Sequence, residues 1–168
     1  MPKADFIRLL KDPKGLRRTF DVGNVDDESR TMDIAFSSDV DLERWPGMAE
    51  KLSHEKGAVN LDRLNNGAPL LWNHDFGAVI GVVESAQIDP DGKGRATVRF
   101  SKNAMAEEKW NDVKDKILRK ISVGYRVNTV EEGETVEADS GVASLFLVTK
   151  WTPYEISLVS VPADDSVG

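Results

Sequence analysis

Val79-Ile80-Gly81-Val82-Val83, then Asp89-Pro90-Asp91-Gly92-Lys93-Gly94, then Ala96-Thr97-Val98-Arg99-Phe100 read as strand, turn and strand. Two runs rich in β-branched and aromatic residues, separated by Asp, Pro and Gly, form a hairpin. The sheet is therefore expected to be antiparallel here. Working outward, residues 31–36, 121–127, 145–149 and 154–161 read as further strands, the last stopped by Pro162, which has no N–H for a ladder. Asn65-Asn66-Gly67 is a turn, and residues 131–141 read as an acidic, glycine-containing loop. Two helices are expected. Trp45, Met48, Ala49 and Leu52 recur at helical spacing, with Pro46 near the first turn and Gly57 beyond the end, which predicts a helix over about 43–55. Ala106, Trp110, Val113 and Ile117 share one face of a second, over about 103–119, which Ser101 or Asn103 can cap. Short strands with two helices indicate an α+β domain built on an antiparallel sheet or barrel.

A chain of 168 residues is expected to form one domain with a real core. It has no cysteine, which removes thiol nucleophiles and disulfides. Its net charge of -7 and pI of about 4.9 argue against a nucleic-acid partner, which calls for a basic face. Lys3, Arg8, Lys11, Lys14, Arg17 and Arg18 make the start an exception, so residues 1–30 read as a basic arm, either flexible and solvated or a docking arm for an acidic partner. No apolar run approaches the roughly 18 residues that span a bilayer, and charge breaks Phe6-Ile7-Arg8-Leu9-Leu10 as a signal peptide. No membrane association is expected, and a cytoplasmic location is.

The chain has two histidines. His54 falls near the end of the first expected helix, where a structural role suffices. His74 follows the apolar run Pro69-Leu70-Leu71-Trp72 and lies in Asn73-His74-Asp75, a strand end beside a loop from which a side chain can reach a substrate. Ser122 lies at the start of an apolar strand, with Gly124 two residues on, and reads either as an ordinary polar strand position or as a nucleophile. It stands outside any Gly-x-Ser-x-Gly elbow. Glu155 lies inside an apolar strand, where a buried charge needs a partner such as a histidine. Asp75 and Asp164 are rival acids. A metal-dependent hydrolase using His74, Asp75 and His54 is an alternative, though a sparse one without cysteine.

Four motifs then occur in order: Ala68-Pro69-Leu70-Leu71-Trp72-Asn73-His74-Asp75, Ile80-Gly81-Val82-Val83, Arg119-Lys120-Ile121-Ser122-Val123-Gly124-Tyr125, and Trp151-Thr152-Pro153-Tyr154-Glu155-Ile156-Ser157-Leu158-Val159-Ser160-Val161-Pro162-Ala163-Asp164. Together they closely resemble the prohead maturation protease family of tailed bacteriophages. The resemblance covers residues 31–164. It leaves the basic arm before them and a trimmed or self-processed end at 165–168. It implies a small, mostly antiparallel β-barrel with surrounding helices, similar to the herpesvirus assembly proteases. It also implies a serine endopeptidase with no cofactor or metal, acting inside the assembling prohead in the host cytoplasm. The substrates implied are phage scaffold protein or the scaffolding segment of the capsid protein, and the enzyme itself. The herpesvirus analogy adds a homodimer. Ser122 would be the nucleophile, His74 the general base and Glu155 the orienting acid. A non-catalytic assembly module of the same fold would carry the same sequence signals.

Overall fold

The computed structural model describes residues 1–162. The described elements run α1 (Lys3–Leu10), β1 (Leu16–Asp26), β2 (Thr31–Ser37), β3 (Leu42–Trp45), β4 (Met48–Leu52), a 3-10 turn (Leu64–Asn66), β5 (Pro69–Trp72), β6 (Asp75–Ile88), β7 (Gly94–Phe100), α2 (Ala104–Lys114), β8 (Lys120–Ala138) and β9 (Gly141–Val159). The fold is α+β, mostly strand, with one mixed sheet in the order β3-β4-β9-β5-β6-β7-β2-β1-β8. β8 also pairs with β9, so seven strands close a ring of hydrogen-bonded pairings. The pairs are antiparallel except β4 with β9 and β5 with β9.

The core draws on every strand of the ring: Phe20, Ile34, Leu70, Ile80, Val98, Val123 and Ile156 all belong to one buried cluster. Helix α2 joins it through Trp110, fully buried and 4.8 Å from the Phe100 ring. Burial of such a side chain contributes about 2–3 kcal/mol. The indole N–H donates to Asp27 Oδ1 at 3.0 Å, so no polar group is stranded. The Asn103 side chain caps α2 by accepting from the Ala106 N–H at 2.8 Å, as expected.

The hairpin that anchors the sequence reading is present, longer than expected, as β6 and β7. Four expectations are corrected. Residues 43–55 are not a helix. Trp45 pairs with Met48 across Pro46-Gly47, with Gly47 at φ 83°, a Pro-Gly turn that joins β3 to β4. Trp45 is 46% exposed while Met48, Ala49 and Leu52 are buried from β4, so the four do not share one helical face.

The second helix stops at Lys114 rather than 119. Lys116 takes φ 61°, the N–H groups of Ile117 and Leu118 both donate to Asp112 O, and Ile117 is 67% exposed.

Residues 131–141 are not a loop but the far ends of β8 and β9, which pair to the turn at Ala138 and Gly141. Both faces of β8 there are largely exposed, so the acidic sequence shows no alternation although the backbone is paired.

Residues 1–30 hold α1 and β1 instead of a loose arm. Phe6 and Leu10 are fully buried against Met48 and Phe146, and β1 pairs with both β2 and β8. The C-terminal end at 165–168 and the rival acid Asp164 lie outside the described residues.

Candidate active site

Register sets three rows of residues across β1, β8 and β9. Thr19, Ser122 and Ser157 lie side by side, with Gly124 and Glu155 in the next row and Asp21, Lys120 and Val159 in the row on the other side. Alternation along a strand sends these side chains to one face. Ile121, Val123 and Tyr125 go to the other, where they join the core cluster. The polar row is nonetheless buried: Thr19 is 2% exposed, Ser122 1%, Glu155 1% and Ser157 0%.

His74 reaches this face through a tight turn. Trp72 pairs with Asp75, leaving Asn73 and His74 as a two-residue loop with φ of 50° and 60°. Positive φ at both central residues matches the right-handed twist of the flanking strands. Asparagine tolerates that region, but for histidine it costs about 1–2 kcal/mol. Strain of this kind concentrates at functional sites. The turn is stitched to β9. The Asn73 N–H donates to Leu158 O at 2.9 Å, and the His74 N–H to Ser157 Oγ at 3.1 Å. Asn73 Oδ1 accepts from the Ser160 N–H at 3.0 Å.

The imidazole then lies between two partners. His74 Nε2 is 2.9 Å from Ser122 Oγ, and Nδ1 is hydrogen-bonded to Glu155 Oε1. The histidine side chain is 13% exposed and that of Glu155 2%. A carboxylate this deep is costly unless paired, and the imidazole N–H supplies the pairing. With Nδ1–H held by the acid, Nε2 presents its lone pair to the serine hydroxyl. A hydroxyl, a base and an orienting acid so arranged can perform nucleophilic acyl transfer.

The structure brings Ser122, His74 and Glu155 together. Asp75 is turned elsewhere: its Oδ1 accepts from the Gly77 N–H at 2.8 Å on an exposed turn. His54 has other company. Its Nε2 is 2.8 Å from Ser37 Oγ, and its ring meets Trp151 edge-on at 5.7 Å. The His54 site is thus no helix end, and the two histidines have separate partners, contrary to the metal-hydrolase alternative. Burial pushes the His54 imidazole below its ordinary value, against the pull of Asp39. Sequence reading missed Ser157 and Asn73 as supports of the histidine. Each stands in a quoted motif, and Ser157 follows Glu155 at the strand period of two.

Compared with known proteins, residues 35–167 match a family described as Caudovirus prohead serine protease. A relative described as "Major capsid protein", from Halomonas phage phiHAP-1, is 45% identical over 138 residues, covering 80% of this chain and 22% of that protein. The chain thus spans less than a quarter of the curated relative's length. No solved structure matches it.

Proposed function

This chain belongs to the caudovirus prohead serine protease family, and from that premise we propose that it is an endopeptidase with Ser122 as nucleophile, His74 as general base and Glu155 as orienting acid. The observation that carries the reading is the imidazole bonded on one side to Ser122 Oγ and on the other to Glu155. As Oγ attacks a scissile carbonyl, Nε2 takes its proton. It then gives that proton to the leaving amine, while the Glu155 carboxylate stabilises the imidazolium. Water repeats the sequence on the acyl-enzyme to release the second product.

The substrate reading is phage scaffold, or the scaffolding segment of the capsid protein, cut inside the assembling prohead, together with the enzyme itself. Family membership and a phage capsid protein among the relatives support it. Among the described residues no helix is long and apolar enough to cross a membrane. We read the closed ring of seven strands as a barrel like that of the herpesvirus assembly proteases. The homodimer rests on the same analogy, and light scattering tests it.

A second reading has one observation in its favour: Ser122 is 1% exposed, so attack requires the surface around it to yield to substrate. A non-catalytic assembly module would need no such opening. Intact mass after co-expression with the capsid or scaffold protein separates the two. Trimming by wild type that vanishes in Ser122→Ala establishes the protease. Identical uncut masses, also inside assembled proheads, would leave the module.

A further inference from the structure

Beside the row that holds Ser122 lies a groove of about 700 Å³. Its floor is the adjacent row, Asp21, Lys120 and Val159, and its walls are the start of β8 and the reversal that follows α2. Two residues of strand separate Lys120 from Ser122, roughly 7 Å. Ser160, also in the lining, donates to Asn73, so the groove touches the turn that carries His74. The groove thus borders the Ser122 row through Lys120 and the His74 turn through Ser160.

The lining has two chemistries. Val25 is 44% exposed and Ile117 67%, and both are apolar side chains open to the groove beside Val159. The cations differ in their commitments. Lys114 is 3.1 Å from Asp27, and Lys120 is 2.7 Å from Asp21. Lys116 and Arg119 are exposed, and their side chains have no ion pair among the described residues. On a chain of net charge -7, two uncommitted cations at the rim of one apolar groove mark a local reversal of sign. The backbone here is held: the Val22 N–H donates to Arg119 O at 2.8 Å, and the Lys116 N–H to Val113 O at 3.1 Å. The cations are therefore presented from a fixed turn.

Resting on the protease reading above, we propose that this groove binds the substrate polypeptide on one side of the scissile bond, selecting an aliphatic side chain flanked by Asp or Glu. The aliphatic group fills the space beside Val25, Ile117 and Val159, and the carboxylate faces Lys116 and Arg119. Arg119 precedes Lys120 in the chain, so at roughly 3.3 Å per extended residue the acid is expected about two to four residues from the bond. Exposed charges of this kind set which partner is accepted and how fast it arrives more than how tightly it is held.

The test is cleavage of a proteome-derived peptide library by the full chain, read by mass spectrometry. Wild type, Ser122→Ala and the double variant Lys116→Glu/Arg119→Glu are compared. Cuts absent from Ser122→Ala are the relevant set. The expected result is enrichment of Asp or Glu two to four positions to one side of those cuts. The double variant should cut acid-flanked peptides about tenfold more slowly and gain Lys- or Arg-flanked ones. Lys116→Gln/Arg119→Gln should lose the preference without reversing it. If Ser122-dependent cuts show no acidic enrichment, or the double variant keeps it, the groove proposal is overturned and the catalytic reading stands. If no cut depends on Ser122, the catalytic reading falls and takes the groove proposal with it.

Discussion

A Cβ built on Gly124 would lie 2.9 Å from Cγ and 3.0 Å from Oε1 of Glu155. The missing side chain is therefore the space in which the acid lies. The two residues are paired across β8 and β9 in the row next to Ser122. Gly124→Ala should push the carboxylate off His74, because Tyr154 Cζ, also 2.9 Å from the added atom, blocks the other way out. We expect a loss of about 1–3 kcal/mol in stability from overpacking. Ser122-dependent cleavage should fall further than that loss explains, read at a temperature where the variant is fully folded. Wild-type cleavage by a folded Gly124→Ala would show that the acid tolerates displacement.

The choice between Glu155 and Asp75 is decided by a pair of isosteric changes. Glu155→Gln keeps the shape but offers an amide to Nδ1, which favours the wrong tautomer. A fall of about 10⁴ in kcat is expected by analogy with other Ser-His-acid sites. Asp75→Asn alters only an exposed turn that accepts from Gly77, so its rate should stay near wild type. Single-turnover cleavage of a capsid-derived substrate measures both. The reverse ranking would reassign the acid.

How much of this was legible depended on whether a local signal agreed with the final pairing. The β6–β7 hairpin was legible because its turn chemistry and its strand composition point the same way. Ser122, His74 and Glu155 could be proposed from sequence because each is polar within an apolar motif, and family resemblance chose them among rivals that composition left open; what the fold adds is their adjacency. The misread stretches share a cause. Trp45, Met48, Ala49 and Leu52 fit a helical stripe, but Pro46-Gly47 is equally a turn, and parallel pairing of β4 with β9 decides for strand. Residues 131–138 lack alternation because both faces of β8 there are largely exposed, so only the partner strand reveals them. The buried row of Thr19, Ser122 and Ser157 is a property of register, which no single stretch contains.

His54 gives the fold a pH dependence of definite sign. Its imidazole is held below the ordinary value of 6.5 by burial, with Arg18 adding to the depression and Asp39 opposing it. The unfolded chain therefore binds the proton more readily than the folded one between those two values. Stability is full above about pH 6.5 and declines as pH falls towards the folded value. Urea denaturation of wild type and His54→Gln at pH 7.5 and 5.5 checks this. The difference between the two proteins should narrow at the lower pH, since the glutamine variant lacks the titrating group. A constant difference would mean that His54 binds its proton equally in both states.

Glu50 carries a prediction about the inner face of the same strands. Its side chain is fully buried, 2.6 Å from Arg44 and 3.4 Å from Arg18, and it accepts a hydrogen bond from the Tyr125 hydroxyl. Burial, together with the negative charge of Glu50, raises the Tyr125 phenol well above its ordinary range, so the ring stays a neutral donor. Removing the carboxylate would leave two guanidinium groups facing each other, the one on Arg18 without exposure to water. Glu50→Ala should therefore cost about 3–5 kcal/mol, the range for breaking a buried pair by deleting one partner. Pairing puts Arg18 opposite Val123, on the face away from Ser122. The variant should accordingly lose urea midpoint at constant m-value, while the folded fraction cleaves at the wild-type rate. Unchanged stability would mean that the two arginines find other acceptors, and a lost rate in the folded fraction would mean that the inner cluster also sets the position of the strand that carries Ser122.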